Sequence, residues 1–479
     1  MRRSCRRLLA ILAISAVYLA LIGALPMATL AHALHDDALF AAFALALLNG
    51  DWLGSYTNLT LVKGPFYSMW LAFNALLGAP LLVSQAVLYL LASLLLLWAV
   101  APGPRWRWPL VIGFAIYAFN PAPYAVAELR LLRAGIYMPL SVLILALCFC
   151  WFRLRDETWR RKLPVAAALG LTVGCFWITR EEGVWILPVL TLAWVGITAM
   201  RWRMAATEAG LAAVGVATSI LVVQGVATVN YVKYGVHDVV EFKQREFLDA
   251  YGALSRIDHA AWRPRIVVPR EVRARAYDVS PAFAELRPHL GGAVGDFWAN
   301  ESCQYGHPVP CPDEIAGGWF MFALREAVAR AGHYESAPKA RAYYARVAAE
   351  LNAACDDGRL SCGARRRSMA PPYRSHYARD TLVRLWRTTR YFAGFDGLFI
   401  DPGRSTGPQV EIDLIADLIN MRPFPRERSL VMRGTVTSTD APITALRIDG
   451  GGDGWQRTEI DRRDVATEGS ANARVTFDL

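Results

Sequence analysis

The first half of the chain alternates between long apolar runs and short polar loops. A transmembrane helix needs about 20 consecutive apolar residues, and about seven runs approach that length. We predict membrane spans at residues 8–30, 82–100, 106–123, 135–152, 164–179, 184–200 and 207–229. The third and fifth of these runs are short or weakly bounded, so their ends are less sharply defined than the others.

The first apolar run follows a basic N-terminus, which is also the pattern of a secretory signal peptide. The run is longer than the roughly 7–15 apolar residues of a typical signal core, and further apolar runs follow it. We therefore expect a retained first helix, with a cleaved signal peptide as the alternative.

The first loop contains two further apolar segments, at residues 38–50 and 63–78. If the second of them crossed the membrane, the basic sequence RWRW would move to the outer side, against the positive-inside rule. We expect both to be helices that lie along the outer interface or re-enter it. The polar turn DWLGSYTNLTLV joins them.

Composition supports a membrane protein with a substantial polar part. Hydrophobic residues make up 54% of the 479 residues and charged residues 19%, below the roughly 25% of soluble domains. The net charge of +10 would suit a nucleic-acid partner, but much of the basic excess in the first half lies in short loops. There it acts as an orientation signal, so we expect no nucleic acid.

The distribution of basic residues predicts a cytoplasmic N-terminus. The basic residues that fall on the cytoplasmic side are Arg2, Arg3, Arg6, Arg7, Arg105, Arg107, Arg153, Arg155, Arg160, Arg161, Lys162, Arg201 and Arg203. The opposite side receives the loops HDDALF, KGPFY, AELRLLR and TREEG. An odd number of spans then places everything after residue 230 outside the cytoplasm.

The second half of the chain has no further apolar run of that length. Helical patterns cover residues 241–257, 320–332, 336–358 and 380–395. From about residue 427 the pattern changes to short alternating runs, SLVMRGTVTS, ITALRIDG and ARVTFDL, which are typical of strands. The last run stops at Leu479, which is expected either of a truncated product or of an edge strand.

These patterns predict a fold class of three parts. Residues 1–230 form a polytopic α-helical membrane domain of about seven spans, with interfacial helices in its first outer loop. Residues 231–425 form an exported, mainly helical domain, and residues 426–479 form a small β-sandwich-like module.

Four cysteines lie in the part that we place outside the cytoplasm. Two close pairs in an oxidising compartment predict the disulfides Cys303–Cys311 and Cys355–Cys362. A zinc site of four thiolates is the alternative, although the spacing within each pair is wide for one.

Ionisable side chains gather on the predicted outer face, where they are costly near lipid and mark function by default. They are Asp36, Asp37, Lys63, Glu128, Arg130, Arg133, Arg180, Glu181 and Glu182. They come from four loops or helix ends, which packed helices would bring around one cavity.

Each of these residues also has a structural interpretation. Asp36 or Asp37 would cap a helix that begins at Ala38, which explains one aspartate but not both. Lys63 would be a snorkelling anchor. Arg130 and Arg133, one turn apart, would share a helix face and hold one phosphate, or would pair with Glu128 or lipid headgroups. The alternative for Arg180, Glu181 and Glu182 is pairing with one another or with nearby loops.

The chemistry that suits this set is a reaction on a lipid-borne anion at the outer membrane surface. A carboxylate takes the proton of an acceptor hydroxyl, and cationic side chains stabilise a phosphate leaving group. A divalent cation on Asp36 and Asp37 is an additional option, with Mg²⁺, Mn²⁺ or Ca²⁺ favoured by oxygen ligands. Because nucleotide sugars are absent outside the cytoplasm, a lipid-phosphate sugar is the expected donor.

The sequences HDDALF, NGDWLGSYTNLTLVKGPFY and WITREEGVW make residues 8–230 resemble the GT-C superfamily of membrane glycosyltransferases. The resemblance is to the branch of protein O-mannosyltransferases and aminoarabinose transferases, and more narrowly to bacterial members of this class. The acidic pair is often Asp-Glu in the family and is Asp-Asp here; the family's Lys-Pro-Pro is Lys63-Gly64-Pro65 here. Many members also have more spans after the seventh.

The resemblance implies transfer of a sugar from a polyprenyl-phosphate donor to a glycan, lipid or protein acceptor on the outer face of a bacterial inner membrane. Asp36 or Asp37 matches the family's acidic catalytic position, and Lys63 and Tyr67 match an element that shapes the donor site. Arg130 and Arg133 fit phosphate binding by location alone. Two other classes stay open: a membrane-anchored glycan-binding or assembly protein without enzymatic activity, and a transporter or flippase of lipid-linked sugars.

Overall fold

Helices form most of the described chain, as the spacing of its apolar and polar runs predicts. The computed structural model describes residues 2–101, 103, 107–125, 128–180, 183–260, 265–306, 313–369, 377–396, 405–421, 434–438 and 473–477. The chain divides into two units, Met1–Arg422 and Pro423–Leu479.

Nine helices are described in the apolar half, and two of them are the short apolar segments of the first loop. They are α1 (Arg2–Gly23), α2 (Asp37–Leu48), α3 (Phe66–Leu77), α4 (Leu81–Val100), α5 (Arg107–Ala118), α6 (Ala134–Arg153), α7 (Trp159–Trp177), α8 (Leu187–Met200) and α9 (Ala205–Tyr234).

Within the described residues, five helical segments are long and apolar enough to cross a membrane. They are Cys5–Gly23, Leu81–Val100, Ala134–Arg153, Gly183–Met200 and Trp202–Tyr234. The prediction of seven spans is therefore confirmed only in part. The 12 residues of α5 extend about 18 Å, less than the roughly 30 Å of a hydrocarbon core. The first turn of α7 carries Arg160, Arg161 and Lys162.

Contacts between loops are found at both ends of these helices. At one end, Arg153 donates to the carbonyl of Ala101, and Arg201 pairs with Asp156 at 3.0 Å. At the other end, the N–H of Phe66 donates to the carbonyl of Ile178. The predicted assignment of these ends to the cytoplasmic and outer sides stays a prediction.

A buried ion pair joins α7 to α9 at the basic end. Lys162 and Glu208 are in contact and almost fully buried, and the indole N–H of Trp151 donates to Glu208 at 2.9 Å. The sequence placed Lys162 in a short polar loop. It lies instead in the first turn of α7, where the charge of Glu208 compensates its burial.

The polar half continues as a second helical region up to residue 369. Its helices are α10 (Arg245–Ser255), α11 (Arg270–Val279), α12 (Pro281–Ala284), α13 (Arg287–Leu290), α14 (Ala293–Gly306), α15 (Gly317–Arg330) and α16 (Ala337–Asp356). Packing of α10 against α16 builds the centre of this region. Its apolar core also includes Leu39, Phe43, Leu53 and Val62 from the first loop, so one core crosses the predicted boundary at residue 230.

A buried polar cluster reinforces that junction. The Arg325 guanidinium pairs with Glu241, and the hydroxyl of Tyr334 donates to Glu241 at 2.7 Å. The ring of Tyr56, from the first loop, stacks on Tyr334. The N–H of Glu241 donates to the carbonyl of Leu61 at 2.9 Å. Each buried charge therefore has a partner, and the cluster fixes the first loop to the second region.

Two further helices follow, α17 (Tyr377–Ala393) and α18 (Gln409–Leu418). The α18 helix packs against α2 and α3, and the carbonyl of Ile419 accepts from the N–H of Leu81 at 3.0 Å. The chain therefore returns to the apolar half after the second region.

The predicted β-sandwich is not supported. The described residues of the second unit are two strands, β1 (Gly434–Ser438) and β2 (Ala473–Phe477), paired antiparallel with Gly434 opposite Phe477. They match two of the predicted strands, and the third, at residues 443–450, lies outside the described residues. Alternation predicts individual strands, but it does not determine how many sheets they form.

One predicted disulfide is confirmed, between Cys355 and Cys362. These two sulfurs are therefore not thiolate ligands of zinc. Cys311 lies outside the described residues, so the pair Cys303–Cys311 remains a prediction.

Candidate functional site

A short extended segment after α1 positions the acidic pair. Ala28 forms a parallel bridge with Arg130, and Leu30 forms one with Thr406. The N–H of Ala28 donates to the carbonyl of Leu129 at 2.8 Å, and the N–H of Ala31 donates to the carbonyl of Thr406 at 2.8 Å. This segment explains why α1 ends at Gly23 rather than at residue 30, because extended backbone replaces the last predicted turns.

Asp37 is fully buried and held by three N–H groups. Arg130 donates to its Oδ2 from Nε at 2.9 Å and from Nη2 at 2.7 Å, and the N–H of Leu30 donates to its Oδ1 at 3.0 Å. Burial raises the pKa of the Asp37 carboxyl, and the guanidinium and the Leu30 N–H oppose that rise. Three donors on one carboxyl fit an ionised group with a structural role.

The prediction that Arg130 and Arg133 lie on one face of a helix is wrong. α6 begins at Ala134, and Arg133 is its N-cap residue. Arg130 lies in the bridge to Ala28, and its guanidinium is directed to Asp37. The loop conformation before α6 separates the two arginines, because residues three apart share a face only where the backbone is helical.

Asp36 differs from its neighbour in both exposure and partner. Its side chain is 40% exposed, and its Oδ1 accepts from Lys63 Nζ, whose side chain is 8% exposed. Asp36 occupies the N-cap position of α2, but its side chain makes no capping hydrogen bond. The helix-cap interpretation therefore does not account for the Asp36 carboxylate.

The ring of Phe40 lies at the centre of the cationic groups. Lys63 Nζ lies 5.1 Å and the Arg133 guanidinium carbon 5.8 Å from its centroid. The ring of Tyr67, also fully buried, lies edge-on to Phe40 with 5.0 Å between the ring centroids. Aromatic faces attract cations, so Phe40 holds two positive charges from different segments, and one of them, Lys63, is paired with Asp36.

The KGPFY element packs against the end of α7. A Cβ on Gly64 would lie 2.0 Å from the carbonyl oxygen of Ile178, so only glycine permits this approach. Pro65 then precedes the first residue of α3. The Gly-Pro pair thus fixes the direction in which Lys63 enters the site.

The segment after α7 contributes further charge. Arg133 Nη1 donates to the carbonyl of Thr179 at 3.0 Å. The Arg180 guanidinium lies 5.2 Å from the ring centroid of Tyr137, which stacks on Phe176. Glu181 and Glu182 lie outside the described residues, so their predicted roles remain predictions.

Glu128 lies at the rim of an apolar cleft between α1, α4 and α6. The cleft is lined by Tyr18, Ile22, Leu82, Gln85, Ala86, Tyr89, Pro123, Glu128, Gly135, Met138 and Pro139. Its Oε2 is buried and has no hydrogen-bond partner among the described residues. Burial raises the pKa of Glu128 to about 7, and the charge of Arg180 opposes the rise.

His35 connects the acidic pair to the second helical region. Its ring lies 4.7 Å from Phe322 and 5.3 Å from Trp298. Burial lowers the pKa of His35 to about 4; Arg325 and Lys63 add to this, and Asp36 opposes it. The imidazole is therefore neutral near pH 7, and the second region covers one side of the site.

The acidic pair does not form a shared set of metal ligands. Among the described residues, no three His, Cys, Asp or Glu side chains gather as a metal site. Asp36 is paired with Lys63 and Asp37 with Arg130, so each carboxylate already has its own cation. The predicted divalent cation does not fit this arrangement.

Comparison of the chain with protein-family models, with curated proteins and with solved structures found no match. The resemblance to GT-C glycosyltransferases therefore remains a prediction from the sequence.

Proposed function

We propose that the chain is a membrane glycosyltransferase that moves a sugar from a polyprenyl-phosphate donor to a hydroxyl of a cell-envelope acceptor. The reaction is proposed for the outer face of a bacterial inner membrane, with the N-terminus in the cytoplasm and the second helical region outside it. The observation that supports this most is a partly exposed carboxylate, Asp36, paired with Lys63, which shares the ring of Phe40 with Arg133.

Asp36 is the proposed general base. In the transfer, the acceptor oxygen forms a bond to the anomeric carbon of the sugar while the bond from that carbon to the phosphate oxygen breaks. The acceptor proton goes to the Asp36 carboxylate, and the bonding electron pair leaves with polyprenyl phosphate. A base must contact the acceptor, and the exposure of Asp36 permits that contact whereas the burial of Asp37 does not.

Lys63 and Arg133 are the proposed partners of the leaving phosphate. Negative charge grows on the phosphate oxygens as the sugar departs, and fixed cations at that position lower the barrier. Phe40 contacts both cations, and Lys63 is paired with Asp36, which supports placing the acid–base and leaving-group functions in one site. Arg180, over Tyr137 on the same side, is a third candidate for phosphate contact.

Asp37 and Arg130 are proposed as positioning residues. Their ion pair and the Leu30 hydrogen bond fix the start of α2. Because Asp36 immediately precedes that helix, the pair determines where the reactive carboxylate points.

The experiment that tests the proposed function uses the purified full chain in lipid nanodiscs with a panel of radiolabelled polyprenyl-phosphate sugars. We expect one donor to bind and to release polyprenyl phosphate, at least slowly, with water as the acceptor. Binding without release in any condition would indicate that a specific acceptor is required. Absence of binding to every donor would contradict the proposal and favour a membrane-anchored glycan-binding protein.

A further inference from the structure

The α17 helix presents an apolar face that the described chain does not cover. At 3.6 residues per turn, Leu382, Leu385, Trp386 and Phe392 fall on one side of it. These side chains are 67%, 61%, 70% and 69% exposed, respectively. Every described side chain from Ala378 to Phe395 is likewise exposed.

The other side of α17 is basic. Arg384 and Arg387 lie opposite the apolar face, and Arg379 and Arg390 lie along its border. The helix has these four arginines against one acidic residue, Asp380, so its net charge is +4 − 1 = +3. A helix with this separation of apolar and basic residues is typical of one that lies in a membrane interface.

A helix of this kind requires a partner. An isolated helix of about this length is marginal in water, and contiguous exposed apolar surface marks an interaction site. With 17 residues and five charges, α17 is too short and too polar to cross a bilayer. A lipid surface satisfies both faces at once, because acyl chains accept the apolar side and anionic headgroups attract the arginines.

The connections of α17 keep it near the end of the helices that carries Asp36. The preceding chain belongs to the second helical region, where the backbone of Cys362 forms an antiparallel β-bridge with Ile257. After α17, the N–H of Thr406 donates to the carbonyl of Thr29 at 3.0 Å. Nine residue steps separate Asp396 from Ser405, so this connection extends at most about 30 Å.

We propose that α17 binds the surface of an anionic phospholipid membrane at the end of the apolar helices that carries Asp36. Its apolar face enters the boundary between headgroups and acyl chains, and its arginines contact phosphate groups. The aliphatic stems of Arg379 and Arg390 extend along the border of the apolar face, as snorkelling arginines do. The second helical region is then held to the membrane by α17 as well as by α9. This inference does not depend on the proposed transferase activity.

Photo-crosslinking of the full chain in nanodiscs tests the orientation of α17. Trp386→p-benzoylphenylalanine and Leu382→p-benzoylphenylalanine place the reactive group on the apolar face, and Arg384→p-benzoylphenylalanine is the matched control on the opposite face. In nanodiscs that contain phosphatidylglycerol, we expect about tenfold more lipid adduct from the first two positions than from the third. Unchanged thermal unfolding of each variant verifies the fold.

Other occupants of the apolar face give different products. Crosslinked dimers from Trp386 and Leu382 would mean that a second copy covers the face, and equal lipid yields at all three positions would mean that α17 is not oriented. Both results would overturn the proposal.

The charge contribution is tested with Arg384→Gln/Arg387→Gln: we expect lower adduct yield at Trp386 in phosphatidylglycerol and no change in phosphatidylcholine. If the chain with both arginines intact gave equal yields of lipid adduct in phosphatidylglycerol and phosphatidylcholine, the preference for anionic headgroups would be refuted.

Discussion

The two adjacent aspartates are expected to differ in how much stability the same isosteric change costs. Asp37→Asn keeps the volume of the side chain but removes the charge that Arg130 contacts at 2.7 and 2.9 Å. In one orientation of the new amide, its NH₂ faces the N–H donors of Arg130. In the other, its oxygen faces Arg130 and its NH₂ faces the N–H of Leu30, which then has no acceptor. Asp36→Asn changes a side chain that is 40% exposed.

The magnitude follows from burial. Removal of one partner of a buried ion pair costs about 3–5 kcal/mol because the other charge is left without compensation. The side chain of Arg130 is 25% exposed and can rehydrate in part, so we expect the low end, about 3 kcal/mol. For a chain of this size that corresponds to a fall of about 3 °C in the unfolding temperature. Asp36→Asn leaves Lys63, whose side chain is 8% exposed, without its carboxylate, but the ring of Phe40 remains 5.1 Å from Lys63 Nζ. We therefore expect a smaller cost than for Asp37→Asn, about 1–2 kcal/mol.

Scanning fluorimetry in detergent measures both changes, and a double-mutant cycle isolates the pair. We expect a coupling of about 2 kcal/mol between Asp37→Asn and Arg130→Gln, and essentially none between Asp36→Asn and Arg130→Gln. Equal destabilisation by Asp36→Asn and Asp37→Asn, or no coupling within the Asp37–Arg130 pair, would refute this assignment of structural and reactive roles.

Three further changes test the surroundings of the site. Gly64→Ala should lower the unfolding temperature and loosen Lys63, because the new Cβ would lie 2.0 Å from the carbonyl oxygen of Ile178; an unchanged unfolding temperature would contradict the close approach. Burial raises the pKa of Glu128 from 4.5 to about 7, so its stabilising contribution is full below about pH 4.5 and is lost as the pH rises through 7. The stability of Glu128→Gln relative to wild type should therefore increase from about pH 5 to 8, and a flat difference would show that this pKa is not raised. Burial lowers the pKa of His35 from 6.5 to about 4. As the pH falls below about 6.5, the unfolded chain binds a proton at this histidine and the folded chain does not, so the folded state loses stability. His35→Gln should remove part of the acid sensitivity between about pH 6.5 and 4, and identical acid profiles would exclude this role.

Apolar run length predicted the long helices well and the total number of spans poorly. Residues 82–100 and 135–152 were expected as spans and correspond to α4 and α6 within about two residues, because nothing interrupts those runs. The structure gives α5 only 12 residues, although its run of apolar residues is longer. Hydropathy measures how apolar a segment is, but local backbone pairing decides where the helix ends. The extended segment after α1 shows this, since its bridges to Arg130 and Thr406 depend on distant chain segments.

The composition of the candidate site was predictable, but the pairing within it was not. The sequence singled out Asp36, Asp37 and Lys63 because charged residues beside apolar runs are conspicuous. It did not indicate that Asp37 pairs with Arg130, 93 positions away, because one sequence carries no information about such contacts.

Phe40 and His35 were missed for a different reason. Phe40 belongs to an apolar helix, where an aromatic residue is expected to pack in a core rather than to hold cations. His35 was quoted within HDDALF, but its contacts with Phe322 and Trp298 involve a region nearly 300 residues later in the chain. The signal that would have directed attention to both is their adjacency to the acidic pair.

The role of Asp36 as the base is tested by measuring donor binding and single-turnover rate separately for the Asp36 variants. With the donor identified, we predict that Asp36→Asn keeps donor affinity within about threefold and slows sugar transfer by about 100-fold or more, which is the range of general-base catalysis. Asp36→Glu should restore part of the rate, since it returns a carboxylate to the site. A turnover rate that Asp36→Asn leaves unchanged would contradict Asp36 as the base and, with it, the proposed reaction at this site.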